Sequence, residues 1–286
     1  MLFNKKTTIK LLAFLVFCAV FIIFVEILDK TGKPPKANNI SDMPGVSSEV
    51  TEQLTQAEII YYDKEIYIEE IAKYSDVILP LTSSPSESYI SDTLFVGDSN
   101  TEALSGFGHL PDKNVLGKHS MDIKGFSEKA YIQIAEDDES TPQDESQSIT
   151  MLQSLIARKP NRIIINFGTN NAGKGASADN FKALYADAIR RIKAACPDTQ
   201  IVIAAILPVC EERDNMDIRQ STIDAFNLSL AQLCREQGCG FLNYPEAFKD
   251  IETGYADTQY MSADGIHLNG DGYRLILDYA QKHQYN

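Results

Sequence analysis

The chain has no tryptophan, only four histidines, and 26 basic residues against 40 acidic ones, a formal net charge of −14 over 286 residues. So strong an acidic excess excludes a general nucleic-acid binder, because neutralising phosphates requires a basic surface. It says nothing about the charge of a single cleft, so neutral or locally bound substrates stay open. Cysteine is also scarce. Of five, Cys18 lies in an apolar N-terminal run, leaving Cys196, Cys210, Cys234 and Cys239. No C-x-x-C pair occurs and no histidine stands at ligand spacing from these thiols, which argues against a metal centre. Four cysteines allow disulfides in an oxidising compartment, with buried free thiols as the default reading. No repeat of solenoid or propeller period is present.

Long apolar runs are equally few, and the longest is N-terminal. Lys5, Lys6 and Lys10 precede an uncharged stretch from Leu11 to Val25, extended by Ile27 and Leu28 after Glu26. No small-x-small cleavage site follows, so residues 1–30 read as a cytosolic tip and an uncleaved single-pass transmembrane anchor, with a cleaved signal peptide as the alternative. The flanking lysines place the N-terminus in the cytosol and the rest of the chain outside it. Residues 31–55, rich in Lys, Pro, Asn and Ser, read as a flexible stalk. Residues 56–90 read as an arm, helical or extended, packing on a catalytic domain that occupies 91–286.

Within that domain, Thr93–Gly97, Asn114–Gly117, Arg162–Phe167, Gln200–Leu207 and Gly240–Asn243 read as short buried strands. Helix-like stretches alternate with them at about Asn100–Ser105, Ser148–Arg158, Ala178–Ala195, Asp217–Gln237 and Asp271–Lys282. This alternation predicts an α/β fold, a three-layer α/β/α sandwich with a mostly parallel sheet covered on both faces. The acidic Ala135–Ser148 stretch reads as an exposed excursion.

Ligands of such sheets collect outside the carboxyl ends of the strands, so the residues after each strand matter most. Gly97-Asp98-Ser99 turns from a strand into a helix, a place where a serine is exposed above the sheet and helix N–H groups face an anion; the alternative is simple helix capping. Phe167-Gly168-Thr169-Asn170-Asn171 ends the most apolar strand. There Asn170 can direct its amide at a developing oxyanion, or the segment is only a Gly/Asn turn. Asp264 and His267 lie three residues apart before the last helix, a spacing that lets the carboxylate orient the imidazole. His109, His119 and His283 have no such partner nearby and read as structural, with His119 close enough to the second strand to line a cleft.

Taken together, these three places resemble the SGNH hydrolase family, also called GDSL esterases and lipases, over about Ser91 to Tyr279. The matching blocks are GDSNTEAL at Gly97–Leu104, GTNN at Gly168–Asn171 and DGIH at Asp264–His267, followed by LNGDGY at Leu268–Tyr273. The resemblance implies a flavodoxin-like sheet. It also implies Ser99 as nucleophile, His267 as base, Asp264 as its partner, and an oxyanion hole from the Ser99 N–H and the Asn170 side chain. The remaining oxyanion donor falls to Ser120 or Gly117 in Gly117-Lys118-His119-Ser120, with Ser120 favoured by its spacing. Asn100 stands where the family usually has an aliphatic residue, and Asn171 where it more often has aspartate.

The chemistry so implied needs no metal and no organic cofactor. The leading expectation is an extracytoplasmic esterase that removes O-acetyl groups from a carbohydrate or cell-envelope glycan. An O-acyltransferase working beside a membrane-embedded acyl donor protein, and a non-catalytic glycan-binding module, are the rivals. The partners expected are an acylated small-molecule or glycan substrate and, through the anchor, the membrane; nucleic acid is not expected.

Overall fold

A computed structural model describes residues 64–133, 148–214, 216 and 218–285. The N-terminal apolar run, the stalk, the first part of the arm and nearly all of the acidic excursion lie outside the described residues. Among the described residues, no helix is long and apolar enough to cross a membrane.

Five parallel strands form the central sheet: β1 (Thr93–Gly97), β2 (Val115–Gly117), β5 (Arg162–Asn166), β6 (Gln200–Ala204) and β7 (Gly240–Leu242), in the order β2-β1-β5-β6-β7. β3 (Ala130–Gln133) and β4 (Ser148–Thr150) make a separate antiparallel pair. The helices in chain order are α1 (Lys64–Ala72), α2 (Ser99–Gly106), α3 (Ile123–Glu128), α4 (Met151–Arg158), α5 (Thr169–Ala172), α6 (Ala178–Ala195), α7 (Glu211–Asp214), α8 (Gln220–Gln237), α9 (Pro245–Phe248) and α10 (Gly270–Lys282).

Strand side chains alternate between faces, and both faces are buried. Leu94, Val96, Ile163, Ile165, Ile201 and Ile203 point into one apolar cluster, which Phe181 and Ile189 of α6 and Phe226 and Leu230 of α8 complete. Phe95, Ile164, Val202 and Leu242 point into the other, with Leu104 of α2 and Tyr273 and Ile276 of α10. This is the expected layering, built from strands in which nearly every residue is apolar. The strand order reverses direction between β1 and β5, which opens a crevice at their carboxyl ends.

Three element boundaries differ from the sequence expectation by more than one residue. Ser148–Thr150 is strand, because the Thr150 side chain caps α4 reciprocally with Gln153 and so fixes the helix start at Met151. Strand β6 stops at Ala204, since the backbone N–H and C=O of Ile206 are both bonded by the Asn227 carboxamide at 2.7 and 3.0 Å. Helix α8 begins at Gln220, whose N–H is taken by Asp214 Oδ1 at 2.6 Å and whose own Oε1 accepts from Val209 N–H at 2.9 Å.

Ahead of the sheet, α1 buries Tyr67 and Ile71. The chain after it runs parallel to β7, with Leu79 N–H donating to Phe241 O and Phe241 N–H donating to Val77 O, both at 2.9 Å. Lys249 approaches Asp224 at 2.7 Å and lies 4.1 Å over the Tyr67 ring, a nearly buried ion pair beneath α1.

Candidate active site

Helix α2 starts directly after β1, with Ser99 as its first residue and Asp98 as its N-cap, the Asp98 side chain accepting from Asn100 N–H at 3.2 Å. Orphan N–H groups at such a helix start face outward from the sheet edge. Ser99 is half-buried, and its Oγ lies 2.9 Å from His267 Nε2. On the other side of the ring, His267 Nδ1 lies 2.6 Å from Asp264 Oδ2. The second carboxylate oxygen of Asp264 accepts from the backbone N–H of His267 at 2.9 Å and of Ile266 at 3.0 Å. An ionised Asp264 therefore accepts a hydrogen bond from Nδ1–H, which leaves the Nε2 lone pair to accept one from the Ser99 hydroxyl. Burial alone would raise the Asp264 carboxyl, but the hydrogen bonds from His267 and Ile266 outweigh it and hold the group below its ordinary value.

Residues separated by 168 positions thus meet at the start of α2, beyond the carboxyl end of β1. Asn170 lies on α5, which follows β5. Its Nδ2 donates to Met121 O at 3.0 Å, which uses one of two amide hydrogens, orients the side chain and leaves the second for another acceptor. Gly168 precedes it with φ +153°, and a Cβ there would come within 2.1 Å of Ile206 Cδ1.

The two residues weighed for the remaining donor are placed differently. At Gly117 an added Cβ would lie 2.2 Å from Glu102 N, so close packing of β2 against the first turn of α2 accounts for this glycine. Ser120 is exposed and adopts φ 58°, the left-handed region that glycine favours, and its N–H donates no hydrogen bond to the described residues. Glu102 steadies that loop: its Oε2 accepts from His119 N–H at 2.7 Å and sits 3.3 Å from His119 Nδ1, while Lys118 Nζ is 3.8 Å from Oε1. His119 is therefore an exposed partner of Glu102 on the rim. His109 packs on Tyr273 and His283 stacks on Tyr279.

Sequence reasoning treated Asp98 only as a capping residue. It is 1 % exposed, and burial pushes its carboxyl up to about 7, with the Asn100 N–H and then the nearby His267 ring pulling the other way. Its position inside the first motif was the available signal; its burial was not readable. Asn171 Oδ1 accepts from Ile123 N–H at 3.5 Å and links α5 to α3.

Among the described residues, no group of His, Cys, Asp and Glu could hold a metal ion. Cys196, Cys210, Cys234 and Cys239 are buried free thiols. A cleft of about 550 Å³, lined by Glu212, Arg213, Met216, Met261 and Ser262 among others, opens beside Asp264.

A search of the curated proteins returned no match. Among solved structures, the chain is similar to a GDSL-like lipase from Bacteroides thetaiotaomicron VPI-5482, at 16% identity and TM-score 0.50 over 76% of this chain and 96% of that one, a likeness of fold. Others found are a carbohydrate esterase family 3 protein from Talaromyces cellulolyticus (16% identity, TM-score 0.46, 65% and 92% covered) and an acetyl-xylooligosaccharide esterase from Geobacillus (14%, 0.47, 68% and 94%). The sequence itself matches the GDSL-like Lipase/Acylhydrolase family over residues 95–275, which span both motif ends of the crevice. The chain belongs to that family, and it is a carboxylic ester hydrolase.

Proposed function

We propose that this chain is an extracytoplasmic serine esterase that removes O-acetyl groups from a carbohydrate or cell-envelope glycan, with Ser99 as nucleophile, His267 as general base and acid, and Asp264 as its orienting carboxylate. The unbroken Asp264–His267–Ser99 hydrogen-bonded chain at the crevice carries this reading. Ser99 Oγ attacks the ester carbonyl as His267 Nε2 takes its proton, and Asp264 stabilises the imidazolium. The tetrahedral oxyanion is received by the Ser99 and Ser120 N–H groups and by the free hydrogen of Asn170 Nδ2, a side-chain contact worth about 3 kcal/mol in the transition state. His267 then returns the proton to the leaving sugar hydroxyl. A water activated by the same imidazole attacks the acetyl-enzyme, and acetate departs with Ser99 restored.

The surroundings favour a short acyl group on a hydroxyl-rich carrier. His267 and Asp264 side chains are 40% and 48% exposed, so the site is open. Its rim is polar: Glu102 with Lys118 and His119 on one side, and the Asp122–Lys174 ion pair at 2.6 Å beside the Asn170 loop. A long acyl chain would need extensive apolar surface, at about 25 cal/mol per Å² buried, whereas polar side chains bond sugar hydroxyls. The cleft beside Asp264 offers room for carrier beyond the reacting ester. Lys5, Lys6 and Lys10 ahead of Leu11–Val25 support a membrane location with the esterase outside.

The test is release of acetate from an acetylated xylo-oligosaccharide, together with hydrolysis of p-nitrophenyl acetate, butyrate and octanoate, by the wild-type chain and Ser99→Ala. Activity that disappears in Ser99→Ala and declines with chain length supports the proposal. Preference for octanoate with no acetate release refutes the acetyl assignment, and product that grows with an added sugar acceptor assigns transfer instead of hydrolysis.

A further inference from the structure

Ser99 and His267 reach the crevice on different elements, a helix following β1 and a loop preceding α10, so something must hold the two elements in register. On its outer side the histidine loop is pinned to its own neighbourhood: Ser262 N–H donates to His267 O at 2.7 Å, Ser262 Oγ–H donates to Leu268 O at 2.9 Å, and Met261 bridges to Leu268. None of these contacts reaches α2. Apart from the Ser99–His267 bond, the only hydrogen bonds among the described residues joining 99–106 to 261–275 converge on a single atom, Asn100 Oδ1. It accepts from Leu268 N–H at 3.4 Å and from Tyr273 Oη–H at 3.2 Å.

Asn100 is 4% exposed and Tyr273 1% exposed, so water does not compete for these bonds. A carboxamide oxygen has two acceptor sites, and two donors fill them. Burial, then the Asp98 and Asp264 charges, push the Tyr273 phenol well above its ordinary value, which keeps it a donor. One donor belongs to the residue after His267 and the other to the first turn of α10, so both flanks of the histidine loop are tied to the residue after Ser99.

We infer that Asn100 is a positioning residue: its Oδ1 clamps Leu268 and Tyr273 to the start of α2 and so holds His267 Nε2 against Ser99 Oγ. This inference rests on the serine mechanism proposed above. A displacement of about 1 Å between reacting groups costs about a hundredfold in rate, so a modest slackening of the clamp is measurable.

The experiment uses the full chain and its variants Asn100→Leu, which keeps the volume and removes the acceptor, Tyr273→Phe, which removes one donor, and the double variant. Labelling of Ser99 by a fluorophosphonate is expected to slow about ten- to a hundredfold in Asn100→Leu and several-fold in Tyr273→Phe. The kcat for p-nitrophenyl acetate should fall in parallel with little change in KM, and the double variant should be no slower than Asn100→Leu alone, because both changes open one clamp. Wild-type labelling rates in the variants overturn the clamp while leaving the serine mechanism intact. So does a loss of activity that a lower concentration of folded, titratable sites accounts for fully. If Asn100→Leu does not fold, Tyr273→Phe decides on the same two outcomes. Should the wild-type chain itself fail to label, the serine mechanism fails, and a crystal structure of Tyr273→Phe decides the clamp: a Ser99–His267 separation unchanged from wild type overturns it, and a lengthened one supports it.

Discussion

On one face of the sheet, Phe181 of α6 stacks on Phe226 of α8 with ring centroids 4.1 Å apart, over a floor of isoleucine and valine from β1, β5 and β6. Toward α2 and α10, by contrast, Asp98, Asn100 and Thr101 are buried, and Asn100 bonds the buried Tyr273. Polar groups do occur on the first face, but Asn227 spends its carboxamide on the backbone of Ile206. The polar groups on the second bond one another and the loop that carries His267. The first face supplies cohesion; the second holds a geometry. A sheet buried on both sides can divide these tasks because the strands send alternate side chains to each.

That division can be broken in a graded series. The largest effect belongs to Ser99→Ala, which should lower p-nitrophenyl acetate hydrolysis by about 10⁴-fold or more with its unfolding midpoint unchanged. Next, Phe226→Ala should destabilise the fold by about 3–5 kcal/mol in urea titrations while the folded fraction keeps its kcat. A drop in kcat per folded site would show that the two faces are coupled. Asn170→Ala should reduce kcat by about 10²–10³-fold, equivalent to about 3–4 kcal/mol, with stability nearly unchanged.

The most gradual effect concerns pH. The Asp98 carboxyl is raised from 3.8 to about 7 by burial, so the native state holds a proton that the unfolded chain has released between those values. Its contribution to stability is therefore full below about pH 4 and is lost as the pH rises towards 7, with a slope of at most about 1.4 kcal/mol per pH unit. Asp98→Asn should flatten that slope in urea titrations at pH 4.5, 5.5 and 6.5. Asp264 works in the opposite sense: its lowered value gives stability that is present above the ordinary carboxylate value and lost as the pH falls through the depressed one. An unaltered slope in Asp98→Asn would show that the buried carboxyl does not set the pH response of this face.

Much of this arrangement is legible in the amino-acid sequence. The five sheet strands fall where apolar, largely β-branched runs predicted them, with Thr93–Gly97 matching at both ends, because a strand buried on two faces can be built from little else. Ser99, Asn170, Asp264 and His267 stood out because each follows a strand or precedes a helix inside a short motif. The Ser148–Thr150 strand was missed because three residues beside a helix carry no periodicity of their own, and β3 supplies the pairing. Glu102 as the holder of the His119 loop, and Asn100 as the acceptor for Tyr273, were equally hidden. Their partners lie 17 and 173 positions away.

By itself, then, the sequence determined the α/β class, the strand positions and the residue types available for acyl chemistry, since these depend on local apolar patterning and on side-chain reactivity. The tertiary structure alone decided which donor meets which acceptor: that Ser120 takes the left-handed turn while Gly117 packs on α2, that Asp98 is buried, and that Asn100 faces Leu268. Hydrogen bonds act over about 3 Å and carry no trace along the chain of the distant partner that completes them, so only the closed crevice fixes them.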